Sequence, residues 1–210
     1  MMGRAPEESF DSKKIVIGVD EAGRGPLAGP VVAGAVVLCK HPPAGLADSK
    51  ALTAKRRGAL DIAIRERCIW AVGLADVDAI EARNILGATM WAMTQAVARI
   101  VTLLDRMPDD IRIDGNVSPH SRCPEWEAEW GGGTPIVGGD ATDASISAAS
   151  IVAKEWRDRI MRHAAIDHPQ YGWHTNKGYG TKAHLEALRR YGATPMHRRG
   201  FAPIAQLDLV

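Results

Sequence analysis

The stretch Val16-Ile17-Gly18-Val19-Asp20-Glu21-Ala22-Gly23-Arg24-Gly25-Pro26 decides how this chain is interpreted. Its first four residues are apolar or glycine and rich in β-branched side chains, which is typical of a buried strand. The strand delivers two adjacent carboxylates, and buried carboxylates are costly unless a cation or hydrogen bonds compensate them. Because successive side chains of a strand point to opposite faces, Asp20 and Glu21 serve one site only where the strand ends or bends, which Gly23 and Gly25 allow. The stretch therefore predicts a metal-dependent site at a strand end.

Length and composition indicate an ordinary globular protein. The chain has 210 residues, of which 46% are hydrophobic and 24% are charged, which excludes a disordered chain and allows a sizeable core. The longest apolar run, residues 31–39, is too short to span a bilayer, and residues 1–14 lack the hydrophobic region of an export signal. Three widely spaced cysteines fit neither a disulfide framework nor a zinc site. We expect a cytoplasmic monomer without membrane contact.

The net charge of +1 hides an uneven distribution. Residues 154–201 carry ten Lys or Arg against four Asp or Glu, and the rest of the chain is net negative. An acidic catalytic body beside a basic surface is typical of a protein that acts on a polyanion. On charge alone, a solvated helix face stays open as the alternative.

Strand-like and helix-like segments are mixed along the chain. Helices are predicted over 53–67, 84–104 with Asn84 as N-cap, 145–163 and 180–191. Strands are predicted over 14–20, 31–38, 69–75, 111–115 and 135–137. This order predicts an α/β sheet covered by helices.

Two further acids lie where predicted strands end. Asp114 closes one strand and precedes a glycine, and Asp140 follows the last short strand. Ligands gather at strand ends in open α/β sheets, and an all-oxygen ligand set selects Mg²⁺ or Mn²⁺ over zinc. Two such ions about 4 Å apart are suited to phosphoryl transfer. We therefore predict that Asp20, Glu21, Asp114 and Asp140 hold Mn²⁺ or Mg²⁺, although for any single Asp a helix-cap or turn role stays open.

A dinucleotide-binding interpretation of the glycine turn is excluded. The run from Gly23 to Ala28 formally fits the pattern GxGxxA after a strand, but that pattern requires a helix whose free amides face a pyrophosphate. Pro26 removes one amide, and Pro30 would break the helix. Residues 31–38 are strand-like, so no helix follows.

Motifs along most of the chain resemble the type 2 ribonuclease H (ribonuclease HII) family of bacteria. They occur in that family's order from about residue 14 to residue 205: VDEAGRGPLAGPVVAGAVVL, DSK, KRR, NILGATMWAM, IDGN, ISAASIVAK, RDR, HPQYG, NKGYGT, HLEAL and HRRGF. The resemblance implies a ribonuclease-H-like fold with a mixed five-stranded sheet flanked by helices. It also implies a catalytic core over residues 1–165 and a small helical C-terminal segment over 166–210 that completes the substrate-binding cleft.

The resemblance further implies a metal-dependent endonuclease. Such an enzyme hydrolyses the RNA strand of RNA–DNA hybrids and cuts on the 5′ side of single ribonucleotides in duplex DNA, leaving 3′-hydroxyl and 5′-phosphate ends. A catalytically silent nucleic-acid-binding module on the same fold is the alternative, which the loss of a metal-binding acid would favour; all four acids are present.

Site residues carry over one at a time. Asp20, Glu21, Asp114 and Asp140 match the family's four metal-binding and catalytic acids. The backbone of Gly23-Arg24-Gly25 matches the motif that contacts the ribose 2′-hydroxyl, the group that separates RNA from DNA. The family's tyrosine that stacks on the sugar downstream of the ribonucleotide corresponds to Tyr179. The remaining substrate-binding expectations are Lys177 of the Lys-Gly-Tyr motif and Lys50, for which a solvated loop lysine is the alternative.

Several positions depart from the family pattern. Gly138-Gly139-Asp140 stands where the family has Lys-Gly-Asp, Ala51 replaces a second lysine after Lys50, and Gly200 replaces a serine. None of these touches the acids, so we expect activity with altered substrate affinity. Asp158, in the RDR motif, is expected to be a helix-surface acid that pairs with Lys154 or Arg162.

The C-terminal residues Gln206-Leu207-Asp208-Leu209-Val210 resemble the glutamine-led peptide by which bacterial replication and repair enzymes dock on the sliding clamp. Such a tail binds in extended form, with its leucines in apolar pockets. We therefore expect the sliding clamp as a partner. The alternative is that Leu207 and Leu209 pack back on the helical segment as a C-terminal cap.

Overall fold

The computed structural model describes residues 1–3 and 14–206 of the chain. Within them, six strands form one mixed sheet in the order β1-β4-β3-β2-β5-β6. Strands β2, β3 and β4 are antiparallel, whereas β2, β5 and β6 run parallel. The strands are β1 (Met2–Gly3), β2 (Val16–Ala22), β3 (Val31–Val37), β4 (Ile69–Ala75), β5 (Asp110–Asp114) and β6 (Thr134–Ile136).

The α/β class is confirmed, but the expected number of five strands is wrong by one. The additional strand is β1, which pairs two residues antiparallel to β4, with Met2 opposite Ala71. Two residues are too few to show a periodic pattern. Backbone pairing also leaves no signature in side-chain type, so the sequence did not predict this edge strand.

Seven α-helices cover the sheet and its C-terminal extension within the described residues. Their bounds are α1 (Ala54–Arg67), α2 (Val77–Val101), α3 (Gly139–Thr142), α4 (Ala144–Asp167), α5 (Trp173–Asn176), α6 (Lys182–Tyr191) and α7 (Ala202–Ala205). In this part of the chain, no helix combines the length and the hydropathy that a membrane span requires. Helix α4 crosses the predicted boundary between residues 165 and 166, and the division into core and C-terminal segment stays a prediction.

Helices α2 and α4 pack on opposite faces of the sheet. Alternation along β3 divides its side chains, so that Ala33 and Ala35 join the cluster under α2 while Val32 and Val36 join the cluster under α4. Both helices approach the backbone of the sheet closely. A Cβ atom on Gly34 would lie 2.4 Å from a carbonyl oxygen of α4. This close packing holds the strand ends at fixed positions relative to the helices.

The long helix α2 begins earlier than expected. The predicted cap is present, because the Asn84 side chain accepts hydrogen bonds from the backbone N–H groups of Leu86 and Gly87. Asn84 has φ 56° and interrupts the helix, and a preceding turn starts after Asp76. The sequence thus placed the cap correctly but missed the helical segment 77–83 before it.

The C-terminal extension pairs with the chain that follows the glycine turn. Ala28 and His197 form an antiparallel bridge. The Gly29 N–H donates to the Met196 carbonyl at 2.8 Å, and the Arg198 N–H donates to the Leu27 carbonyl at 2.9 Å. Residues 26–30 are therefore fixed between the sheet and the extension.

Candidate active site

Three of the four predicted acids gather at one edge of the sheet. Asp20 lies near the end of β2, Asp114 ends β5, and Asp140 lies in α3 just after β6. Because β2, β5 and β6 are neighbouring parallel strands, their carboxyl ends meet. Each of the three side chains offers a carboxylate oxygen, and these oxygens all lie within 4.8 Å of one another. We call these three residues the acidic edge.

Asp20 is the most buried member of the acidic edge, with 4% of its surface exposed. Burial raises the pKa of Asp20 well above its usual value, and the negative charges of Glu21 and Asp114 raise it further. A hydrogen bond with Ser150 and one from the Glu21 N–H, at 2.7 Å, oppose this rise. The acid is thus placed where its charged form needs a nearby cation.

Asp114 and Asp140 are joined through the backbone. The Asp140 N–H donates to Asp114 Oδ1 at 3.2 Å. Burial and the Asp140 charge raise the pKa of Asp114, while hydrogen bonds from the N–H groups of Asp140 and Gly139 lower it. Helix α3 thereby positions one acid relative to the other.

Glu21 does not join the three-carboxylate group. Strand β2 continues to Ala22, and Glu21 lies close enough for the charges of Asp114 and Lys50 to act on its pKa. The Glu21 carboxylate lies 3.4 Å from Arg24 Nη1. Burial raises the pKa of Glu21, and the Arg24 charge opposes that rise. Its role as a metal ligand stays a prediction.

Lys50 supplies a positive charge at the acidic edge. Its Nζ atom lies 3.5 Å from Asp140 Oδ2 and 4.0 Å from Asp48 Oδ1. Burial lowers the pKa of Lys50, but the carboxylates of Asp48, Asp20 and Asp140 outweigh burial and raise it. The preceding residue is held in place, because Ser49 Oγ lies 2.8 Å from Ser150 Oγ and Arg57 Nη1 donates to the Ser49 carbonyl at 3.1 Å.

A cleft of about 190 Å³ opens beside the acidic edge. Gly23-Arg24-Gly25, which we call the recognition loop, forms one wall, and Lys50, Lys154 and Tyr179 contribute to the others. Arg24 and Gly25 are exposed, and within the part of the chain that the structure describes their N–H groups meet no protein acceptor. The loop therefore presents free backbone donors to a ligand in the cleft.

Tyr179 lines the cleft beside the recognition loop, and Lys177 lies two residues before it in the chain. Tyr179 is 46% exposed, and its Cε1 atom would lie 3.8 Å from a Cβ atom on Gly25. Its carbonyl oxygen is 2.9 Å from His184 Nδ1. Lys177 has φ 52°, its Nζ donates to the His174 carbonyl, and burial lowers its pKa. An exposed aromatic face thus stands next to the loop on a fixed backbone.

The expectation that Asp158 is a surface acid is wrong. Only 4% of its surface is exposed, because α1 packs over this side of α4. Asp158 pairs with Lys154 at 2.7 Å, as one of the two expected partners, and with Arg57 at 3.6 Å. Arg162 instead lies 4.0 Å from Glu155.

Comparison with known proteins agrees with this geometry. The family model described as Ribonuclease HII matches residues 17–204. A Ribonuclease HII of Erythrobacter litoralis is 58% identical over 213 residues, covering 100% of this chain and 99% of that protein. One from Novosphingobium aromaticivorans is 59% identical over 198 residues, covering 93% and 100%. The chain belongs to the ribonuclease HII family.

Solved structures support the same assignment. A chain in the PCNA:RNase HII complex of Archaeoglobus fulgidus superposes with a TM-score of 0.71 at 25% identity, covering 89% of this enzyme and 95% of that chain. Ribonuclease H2 of Pyrococcus horikoshii gives a TM-score of 0.67 at 26% identity, covering 93% and 97%. The enzyme is thus a ribonuclease H, an endonuclease that hydrolyses phosphodiester bonds, on a ribonuclease-H-like fold.

The sequence did not predict the buried side chains that position Asp20 and the recognition loop. Ser150 bonds toward Asp20, and two arginines, Arg157 and Arg198, donate to the backbone around the recognition loop. These residues lie in the motifs ISAASIVAK, RDR and HRRGF, so a signal was present. Their roles could not be read from it, because each depends on which backbone carbonyl the fold brings near.

Proposed function

We propose that this ribonuclease H uses divalent metal ions to hydrolyse the RNA strand of RNA–DNA hybrids. It also cuts on the 5′ side of single ribonucleotides embedded in duplex DNA and leaves 3′-hydroxyl and 5′-phosphate ends. One observation carries the proposal: three carboxylates within 4.8 Å of one another stand beside a cleft lined by free backbone donors and an exposed tyrosine. Family membership supports the same chemistry.

The acidic edge fits Mg²⁺ or Mn²⁺. Its donors are all carboxylate oxygens, which hard divalent cations prefer. The raised pKa values of Asp20 and Asp114 reflect burial and mutual repulsion that a cation would relieve. We infer that Asp20, Asp114 and Asp140 hold the metal and that Glu21, on whose pKa the Asp114 charge already acts, joins them. Two bound cations would polarise the scissile phosphate and lower the pKa of the attacking water.

The side chains around the edge bind the nucleic acid. Lys50 and Lys154 place positive charge next to the scissile position, where phosphate oxygens of the backbone would lie. Lys50 stands 3.5 Å from Asp140 and supplies a cation in a site whose Lys-Gly-Asp motif has lost its lysine. Lys177 extends the same positive surface.

Discrimination of RNA from DNA belongs to the recognition loop. A 2′-hydroxyl oxygen accepts hydrogen bonds, and the exposed N–H groups of Arg24 and Gly25 are suited to donate them. A glycine at position 25 lets the ribose approach the main chain without an intervening side chain. Tyr179 then stacks on the sugar that follows, which favours a deoxyribose at an RNA–DNA junction.

The predicted division of the chain also enters this proposal. Residues 1–165 form the catalytic core, and residues 166–210 complete the cleft by placing Lys177 and Tyr179 opposite the recognition loop. Support comes from the backbone pairing of Met196 and Arg198 with Gly29 and Leu27. The division concerns roles in substrate binding, since α4 runs through the boundary.

We further propose that residues 206–210 bind the sliding clamp. Gln206 caps α7, and residues 207–210 lie outside the described part of the chain. The structural relative from Archaeoglobus fulgidus was solved in complex with PCNA, which supports this partner. Deletion of residues 206–210 should remove clamp binding in a pull-down and leave cleavage of naked oligonucleotides unchanged. Unfolding or loss of basal activity would show that the tail is structural instead.

Cleavage of an end-labelled DNA duplex that contains one ribonucleotide tests the proposed function. We expect one cut on the 5′ side of the ribonucleotide in Mg²⁺ or Mn²⁺, none with a chelator, and none when the target carries a 2′-deoxyribose. The product should be a substrate for polymerase extension, which requires a 3′-hydroxyl. Tight binding without cleavage in every metal would favour the silent binding module.

A further inference from the structure

We propose that Arg157 and Arg198 are positioning residues that hold the recognition loop in its donor-presenting conformation and join it to the Lys177–Tyr179 segment. We call these two side chains the arginine brace. The inference rests on the proposed function and deepens it: selectivity for a 2′-hydroxyl depends on a loop that is already formed before substrate binds. Both side chains act through the backbone carbonyls that they bind, and Arg157 also lines the cleft.

Arg198 fixes the carbonyl side of the loop. Its three guanidinium nitrogens donate to three backbone carbonyls: Nη2 to Gly23 at 2.6 Å, Nη1 to Arg24 at 3.0 Å, and Nε to Gly29 at 2.9 Å. Because Arg198 binds the carbonyls of Gly23 and Arg24, it fixes the orientation of the peptide planes that follow these two residues. The N–H groups of Arg24 and Gly25 have no acceptor among the described residues and face the cleft.

Arg157 connects the two walls of the cleft. Its Nε donates to the Pro30 carbonyl at 2.9 Å and its Nη2 to the Ala28 carbonyl at 3.0 Å, both in the chain after the loop. Its Nη1 donates to the Lys177 carbonyl at 3.0 Å, two residues before Tyr179. One guanidinium group therefore joins the segment that carries Tyr179 to the chain that follows the recognition loop.

The recognition loop also packs directly on Arg157. Gly23 has φ 105°, and a Cβ atom on it would lie 2.1 Å from Arg157 Nε. The guanidinium thus fills the space that any larger residue at this position would need. Loop and brace fit only with a glycine at position 23.

The brace buries two positive charges that no carboxylate among the described residues contacts, although the charge of Asp158 acts on Arg157 from farther away. Exposed surface is 1% for Arg157 and 0% for Arg198, and among residues 1–3 and 14–206 neither forms an ion pair. Burial lowers the pKa of Arg157 to about 10 and that of Arg198 to about 9. Because an unpaired buried charge is costly, a neutral side chain of similar size would serve simple packing better. Six donors in fixed planar geometry instead organise carbonyls, which lysine cannot reproduce.

Conservative variants of the brace test this assignment. Arg198→Lys and Arg157→Lys keep the charge but lose the planar fork, and Arg199→Lys, at the exposed neighbouring position, is the matched control. On a duplex with one ribonucleotide, we expect kcat to fall about 10- to 100-fold, because a displacement near 1 Å has that effect, with KM little changed. Preference for binding the ribonucleotide duplex over the all-deoxy duplex should also fall, while metal affinity at the acidic edge stays the same.

The outcomes separate this inference from the proposed function. Cleavage by the unmodified enzyme and by Arg199→Lys establishes the function in the same assay. Wild-type kcat and wild-type ribonucleotide preference in folded Arg198→Lys and Arg157→Lys would overturn the brace and leave the function standing. If the variants do not fold, backbone order parameters of Arg24 and Gly25 in the free unmodified enzyme decide. Values near 0.85 support a preformed loop, and values below about 0.6 overturn it.

Discussion

The acidic edge and the arginine brace both lie close to the same cleft and bury charge in opposite ways. At the acidic edge, Asp20 and Asp114 repel each other, and burial raises the pKa of both. At the brace, Arg157 and Arg198 are more deeply buried, yet every guanidinium nitrogen donates to a backbone carbonyl. One region is incomplete without a cation, whereas the other is complete in the free enzyme.

This difference separates chemistry from recognition. Repulsion among the acids favours binding of a divalent cation, because the bound cation relieves that repulsion. The hydrogen bonds from the arginine brace to the backbone carbonyls instead hold the recognition loop in place, so that the loop does not have to reorganise when substrate binds. Changes at the acidic edge should therefore abolish hydrolysis but not stability, and changes at the loop should cost stability and selectivity.

Neutralising an acid should have the largest effect. Asp20→Asn and Asp114→Asn each remove a charged metal ligand at constant volume. Loss of a residue that only hydrogen-bonds a metal ligand already lowers activity about 10- to 100-fold. Loss of a ligand itself should therefore lower the cleavage rate at saturating Mg²⁺ by more than about 100-fold. Stability without metal should stay level or rise, because repulsion is relieved. The exposed Asp167→Asn is the control, and near-normal turnover of Asp114→Asn would contradict the assignment.

A methyl group on the recognition loop should act mainly on stability. Gly23→Ala forces an L side chain to φ 105° and places its Cβ 2.1 Å from Arg157 Nε. Backbone strain and overpacking together should lower the free energy of unfolding by about 2–4 kcal/mol, as chemical denaturation would measure. Gly25→Ala is the matched variant, since its Cβ meets only Tyr179 at 3.8 Å. An equal loss of stability in both variants would argue against a close fit between Gly23 and Arg157.

Removing the stacking ring should affect one substrate more than the other. Tyr179→Ala should slow cleavage at a single ribonucleotide about 5- to 10-fold, a modest share of the energy of aromatic stacking on nucleic acid. Cleavage inside a long RNA–DNA hybrid should fall less, because no deoxyribose follows the cut there. Tyr191→Ala, which removes another exposed tyrosine, is the control. Equal losses on both substrates would show that Tyr179 only packs.

The last expected effect appears only at low pH and concerns the buried histidines of the C-terminal extension. Burial first, then the nearby His184, lowers the pKa of His197 to about 4, and the Thr194 N–H donates to its Nδ1. Below pH 6.5, His197 binds a proton in the unfolded chain, whereas in the folded protein it stays neutral until the pH approaches 4. Stability from this group is therefore complete above pH 6.5 and is lost as pH falls from 6.5 toward 4. The slope is at most about 1.4 kcal/mol per pH unit.

Comparison of unfolding curves for the unmodified enzyme and His197→Gln checks this slope. The acids of the edge contribute equally to both proteins, so their difference isolates the histidine. The variant should lose less stability between pH 6.5 and 4. Parallel pH profiles would contradict the assignment of a neutral buried His197.

Some of this site was accessible from the sequence, and the reason differs by residue. Asp114 ends β5, and Asp20 lies two residues before the end of β2. The β-branched residues before each acid predicted both strands, so the meeting of these acids at strand ends could be predicted. Asn84 was correct as a cap because its side chain bonds locally to residues two and three positions ahead. A hydrogen bond between residues that are close in the chain can be predicted from the sequence alone.

Long-range contacts account for what the sequence did not predict. Asp158 looked like a surface acid because its partner Arg57 is about a hundred positions away in α1. Arg198 reaches carbonyls of Gly23 and Arg24 across most of the chain. A carbonyl that accepts such a bond has the same sequence signature as any other, so the brace appears only once the fold is known.

The most direct test of the separation between chemistry and recognition uses Asp114→Asn alone. Its cleavage of a one-ribonucleotide duplex would be followed in a single turnover, and its affinity for that duplex and for the all-deoxy duplex would be measured by fluorescence anisotropy. We predict that cleavage falls more than about 100-fold while the preference for the ribonucleotide duplex remains that of the unmodified enzyme. Loss of the preference together with cleavage would show that the acids, and not the recognition loop, distinguish RNA from DNA.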